Sequence, residues 1–130
     1  MLLYIDFGSE IPIYEQIVTG VIKGVGDGTL SSGELLPSMR ELASDLNINM
    51  HTVRKAYLQL QDMGFIEILK KKGALVREKP TGDSNDFYRR IEQKLLPILF
   101  EAKSRGITNS EMLTLINQLM EEKIGGNKND

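Results

Sequence analysis

At 130 residues, 41% of them hydrophobic and 26% charged, the chain has material for one folded module plus an extension and is too apolar to stay disordered. The absence of cysteine and the single histidine, His51, exclude a disulfide framework, thiol chemistry and a cysteine or histidine metal cluster. The net charge of −2 is spread unevenly: residues 1–35 set one lysine against five acids, residues 36–80 eight cations against five acids, and residues 81–130 seven against eight.

The middle of the chain is therefore basic between acidic flanks, the distribution by which a mildly acidic protein meets a polyanion on one face. No apolar run approaches the roughly 18 to 20 residues of a membrane span. The opening MLLYIDFGSE has no basic region ahead of its acids. Both features predict a cytoplasmic protein with no membrane role.

In chain order, Pro12 suits the first turn of a helix, where its missing N–H is no loss. Ile13, Ile17, Val18, Val21, Ile22 and Val25 then recur at spacings of three and four until the glycines at 26 and 28, which predicts a first helix over about residues 12–26. SSGELLP reads as a connector. Ser38 with Glu41 three residues on forms a capping box for a second helix that runs to Leu46 and buries Leu42, Ala43 and Leu46. The amide-rich NIN at 47–49 is turn-like, with Ile48 as an apolar plug and Asn49 as the cap of a third helix. Val53, Ala56, Tyr57, Leu60 and Met63 give that helix its buried face, and Gly64 stops it. FIEIL, KKKG and ALVRE then read as a β-hairpin over residues 65–78 with a cationic tip, resting on the helices because two strands alone are marginal.

PTGDSN at 80–85 is a turn-rich linker, which divides the chain into a domain at 1–80 and a helical region at 81–130. In the second part Phe87, Ile91, Leu95, Leu99 and Ala102 form a strip on a fourth helix, capped by Ser84 or Asn85, kinked at Pro97 and ended by Gly106. Thr108 and Glu111 make a second capping box. Met112, Leu113, Ile116, Leu119 and Met120 line a fifth helix until the terminal GGNKND frays. The predicted fold is mainly α with a small β-hairpin: a winged helix-turn-helix followed by two C-terminal helices.

That element order presents the helix after the tight turn to a DNA major groove and the hairpin to the backbone or minor groove. On the third helix, Asn49, Met50, His51, Thr52, Arg54 and Lys55 fall at its N-terminal end or on the face opposite Val53 and Tyr57. Backbone N–H groups at that end favour a phosphate. Ser38 and Arg40 lie at the start of the second helix, where a cation opposes the helix dipole and is best explained by a phosphate or base, against a pair with Glu41 or Asp45. Lys70, Lys71 and Lys72 either meet phosphate or only keep the hairpin soluble.

The run LPSMRELASDLNINMHTVRKAYLQLQDMGFIE with KKKGALV resembles the DNA-binding domain of the GntR family of bacterial transcription regulators, over about residues 11–77. The short two-helix tail is similar to that of its YtrA subfamily. The resemblance implies that Arg40, Thr52 and Arg54 touch operator DNA and that Gly73 sits at a wing tip in the minor groove. The chain departs from the family at Met50, where arginine or a small polar residue is common, and at Lys71, where a second glycine is common. The implied role is a dimeric repressor, often of neighbouring transporter genes, with an effector that is unidentified.

The last two helices either fold back on their own domain or pair with a second copy; pairing through Phe87, Ile91, Leu95, Leu99, Leu113, Ile116, Leu119 and Met120 accounts for broad apolar strips that one partner helix covers only in part, and an inverted-repeat operator on double-stranded DNA would match the pair. A winged-helix protein-interaction module without specific DNA binding is the alternative, and it needs an apolar or acidic outer face on the third helix. An enzyme needs a convergent catalytic set that the sequence lacks, and nothing in it suggests a cofactor.

Overall fold

Helix α1 (Ile13–Asp27) follows Pro12 and buries Ile17, Val18 and Val21, the stripe that its periodicity predicts. The loop before it is tied down by Gln16, whose side chain accepts from the Asp6 amide at 2.8 Å and donates to the carbonyls of Asp6 at 3.0 Å and Ile11 at 2.9 Å. Gly28, with φ of 85°, ends the helix in the left-handed conformation that glycine adopts without penalty. The computed structural model describes residues 3–78 and 84–124. The chain divides into two compact units, Met1–Pro80 and Thr81–Asp130.

Helix α2 (Met39–Leu46) opens on the expected capping box: Ser38 Oγ accepts from the Glu41 amide at 3.1 Å, and the Glu41 carboxylate accepts from the Ser38 amide at 2.9 Å. Those hydrogen bonds, the backbone one first, hold the Glu41 carboxyl below its ordinary range. Asn47 closes the helix at φ of 56°, and the Ile48 amide reaches back to the Ala43 carbonyl at 2.9 Å. Ile48 packs against the core, as a plug between helices must. Helix α3 (Met50–Asp62) starts at once, with Asn49 Oδ1 accepting from the His51 amide at 2.8 Å. It ends where the Phe65 amide bonds the Leu60 carbonyl at 2.9 Å and Gly64 turns left-handed.

The sheet has three antiparallel strands in the order β1-β3-β2: β1 (Leu35–Leu36), β2 (Ile66–Leu69) and β3 (Gly73–Val76). The hairpin pairs Ile66 with Val76 and Leu69 with Gly73, as its alternation predicts. The connector expected at SSGELLP instead supplies β1, which pairs Leu35 with Leu75 and Leu36 with Ala74. Hydrogen bonds from the Gly33 amide to the Val76 carbonyl and from the Val76 amide to the Glu34 carbonyl, both 2.8 Å, extend that pairing. The third strand gives the hairpin a second covered edge and so stabilises what two strands alone would not.

Side chains from α1, α2, α3 and all three strands meet in one core, in which Ile17, Val21, Val53, Ala56, Tyr57, Leu60, Ile66 and Ala74 are wholly buried. Tyr57 is the largest of these and carries a polar atom inward. Its hydroxyl donates to the Pro37 carbonyl at 2.7 Å, which satisfies the group and fastens the entry of α2 to α3. Burial, and secondarily the Glu41 charge, pushes the phenol far above its ordinary range.

In the C-terminal unit, α4 (Ser84–Ser104) runs on as helix through Pro97, and α5 (Asn109–Gln118) passes into a π-helical segment, Leu119–Ile124. Ser84 and Asn85, expected as caps, already belong to α4. The residue before Ser84, most of the expected linker and the terminal GGNKND lie outside the described residues. Gly106, with φ of 85°, ends α4, and the amides of Gly106 and Ile107 bond the carbonyls of Lys103 and Ala102, each at 3.0 Å. Thr108 and Glu111 form the second capping box. Unlike α1 and α3, neither α4 nor α5 buries a side chain fully among the described residues.

Candidate nucleic-acid interface

The helix-turn-helix is held by short-range capping, so the outer end of α3 is fixed by the same bonds that fix the turn. Asn47 in the left-handed region, the Asn49 cap and the buried Val53, Ala56, Tyr57 and Leu60 leave only one face of α3 outside. On that face Asn49, Met50, His51, Arg54 and Lys55 are exposed and Thr52 is half-buried. Met50 keeps 41% of its surface in solvent although it is apolar. Asn49 has committed its side-chain oxygen to the cap and retains its NH₂ donors.

Arg40 is exposed in the first turn of α2. Among the described residues the salt bridge within reach is Arg105 with Glu101, so Arg40 pairs with neither Glu41 nor Asp45, and Arg54 and the wing lysines are likewise without an anionic partner. These cations face solvent, and the carboxylate nearest Arg40 in the chain, Glu41, is engaged at Ser38. Ser38 itself is half-buried with its hydroxyl occupied by the cap. Its place is structural first, though the oxygen can accept and donate together.

At the wing the tip consists of Lys70, Lys71 and Lys72, all exposed. Gly73, expected at the tip, is buried at the start of β3, opposite Leu69 and against the backbone of Leu36 and Pro37. The burial has a packing cause, because β1 lies across that position and only a residue without a side chain lets it approach. Lys71 occupies the left-handed region with φ of 63°, which suits glycine and costs an L-residue roughly 1 to 2 kcal/mol. Lys71→Gly is therefore expected to raise stability by about 0.5 to 1 kcal/mol, the gain being trimmed by the greater chain entropy of glycine. Urea titration reads the gain, and a destabilised variant would contradict the strain at this position.

Two further contacts shape this surface. Gln61, on α3, accepts from the Ile68 amide at 2.8 Å and so ties the outer edge of the wing to the helix. The Lys55 ammonium lies 4.0 Å from the centre of the Tyr14 ring on α1. Nothing local marks either pairing; each joins residues that only the folded chain makes neighbours.

A tight turn between two packed helices, an exposed cationic face on the second of them and a lysine-tipped hairpin define a winged helix-turn-helix of the DNA-binding class. The profile of "Bacterial regulatory proteins, gntR family" matches residues 13–76. Across 130 residues, 99% of this chain and 100% of the relative, the sequence is 32% identical to the HTH-type transcriptional repressor YtrA of Bacillus subtilis (strain 168). The chain belongs to the GntR family of transcription regulators.

Solved structures agree. YtrA from Sulfolobus acidocaldarius, a GntR-family transcription factor, is 39% identical with a TM-score of 0.60, over 75% of this chain and 99% of that one. A transcriptional antiterminator from Listeria monocytogenes EGD-e is 30% identical with a TM-score of 0.80, over 97% of this chain and 94% of that one. Among the described residues no helix is long and apolar enough to cross a membrane, and no group of acids and histidine is placed to hold a metal ion.

Proposed function

We propose that the chain is a cytoplasmic, dimeric repressor that binds an inverted-repeat operator, with one α3 in the major groove at each half-site. The observation that carries this reading is the exposed, unpaired set of Arg40, Arg54 and the wing lysines around a helix whose other face is locked in the core. Arg54 has the length and donor geometry for a guanine edge or a phosphate, and His51, Thr52 and Asn49 have donors for bases or backbone. Met50 offers an apolar contact to a thymine methyl. The three wing lysines supply the salt-dependent, sequence-independent part of the affinity.

Two copies are needed because one α3 reads only one half-site. Phe87, Ile91, Leu95, Leu99, Leu113, Ile116, Leu119 and Met120 are the residues proposed to hold them together. Phe87 is 54% exposed, Leu113 62% and Met120 56% within one chain, an amount of bare apolar surface that favours a partner.

The test is a gel shift with the DNA upstream of the protein's own gene, run against random duplex at several salt concentrations. Preferential binding is expected, and Arg54→Ala is expected to weaken it by about 1 to 3 kcal/mol at the specific site. Equal affinity for random duplex, unmoved by Arg54→Ala, would leave only a nonspecific basic surface.

A further inference from the structure

Among the cations on the face of α3 and at the wing, Lys55 has an aromatic ring as its neighbour. Its ammonium sits over the Tyr14 ring at 4.0 Å from the centroid, with Tyr14 half-buried in the first turn of α1 and Lys55 exposed on α3. Helices α1 and α3 pack directly on one another, so the ring is part of a rigid platform while the lysine stem is flexible by nature. The attraction between a cation and a ring face selects one position for the ammonium from the many that its stem allows.

What holds a lysine decides what the lysine can still do. A carboxylate in the place of Tyr14 would take up N–H donors and cancel the charge, and DNA would have to displace it. A ring face does neither, so the ammonium keeps its charge and its donors for an oxygen anion. Lys55 forms no salt bridge among the described residues. The Tyr14 hydroxyl lies 3.3 Å from Glu15 Oε1 and donates to it, which leaves the ring as the part of Tyr14 free to act on Lys55.

We propose that Tyr14 is a positioning residue of the DNA interface: its ring places the Lys55 ammonium in advance at the point where it meets a backbone phosphate. The inference rests on the reading of α3 as the helix that faces DNA. Fixing a long side chain before binding removes part of the ordering cost that association otherwise carries. Tyr14 thus strengthens binding without reading sequence, since phosphate contacts position the protein and base contacts specify.

The experiment is a four-cornered cycle on the full chain, with operator affinity measured for wild type, Tyr14→Leu, Lys55→Ala and the double variant, together with Tyr14→Phe. Tyr14→Leu is expected to weaken binding about two- to five-fold, Tyr14→Phe to leave it unchanged, and Tyr14→Leu to have no effect once Lys55→Ala is present. Lys55→Ala alone is expected to lower the salt slope by about one. An undiminished loss in the Lys55→Ala background, a loss in Tyr14→Phe, or no loss in Tyr14→Leu each overturns the proposal. Independently of how Tyr14→Leu folds, NMR of the free protein reads the contact itself: Lys55 ε-methylene protons are shifted upfield by the ring in wild type and Tyr14→Phe, and ordinary shifts there also overturn it. Wild type that binds operator no better than random duplex would instead sink the reading of α3 and leave the ring contact standing.

Discussion

Replacing Gly73 by alanine is expected to destabilise the protein by roughly 3 kcal/mol, and so to lower its melting temperature by about 12 °C or more. Two causes act together. The residue has φ of 97°, where an L side chain is strained. The added methyl would also overlap the Leu36 carbonyl oxygen, with the carbonyl carbons of Pro37 and Leu36 only 3.2 and 3.3 Å away. Those neighbours are backbone and cannot swing aside as a side-chain end would. Relief requires β1 to part from β3, which breaks the bonds between Gly33, Glu34 and Val76 and loosens Pro37, the acceptor for the buried Tyr57 hydroxyl. Thermal unfolding followed by circular dichroism measures the loss, and a fall of less than about 4 °C would mean that β1 is only lightly held. Lys71→Gly, two residues earlier in the hairpin, is the matched control with the opposite sign.

The same two positions show which parts of the molecule the sequence makes legible. Features set by neighbours along the chain are read directly: the capping boxes at Ser38 and Thr108, the stops at Gly28, Gly64 and Gly106, and the buried faces of α1 and α3. Their signals are spacings of three and four and residues whose backbone freedom or hydroxyl is needed on the spot. Lys71 also stands out in the sequence, as a departure from a glycine that the family favours, and its left-handed φ gives the reason. Strand β1 was not legible. Two leucines between Glu34 and Pro37 offer no alternation, and their pairing with β3 is a long-range event. The burial of Gly73 under β1 is hidden for the same reason, since along the chain a glycine beside three lysines reads only as the end of a turn. The Tyr14 and Lys55 contact and the Gln61 and Ile68 bond likewise join separate elements. The π-helical run after Gln118 escapes a count by fours because its register slips by one residue per turn.

The second large effect concerns the C-terminal unit, on the proposal that it joins two copies. Leu113→Glu combined with Ile116→Glu is expected to turn the dimer into a monomer and to weaken operator binding by about a hundred-fold or more, because each half-site must then be held without the effective concentration that tethering provides. Within one chain Leu113 is 62% and Ile116 37% exposed, and exposed substitutions of this kind ordinarily change the stability of a fold by no more than about 0.5 kcal/mol. In an interface the same carboxylates would be buried without partners, at a cost of several kcal/mol for each charge. The contrast between small and large cost is what makes the pair informative. Sedimentation measures the assembly state, and far-ultraviolet circular dichroism confirms that helix content is kept. A variant that remains a dimer places the interface elsewhere. A monomer that still binds the full inverted repeat with wild-type affinity removes the need for two linked copies, and with it the reason that α4 and α5 keep so much apolar surface bare.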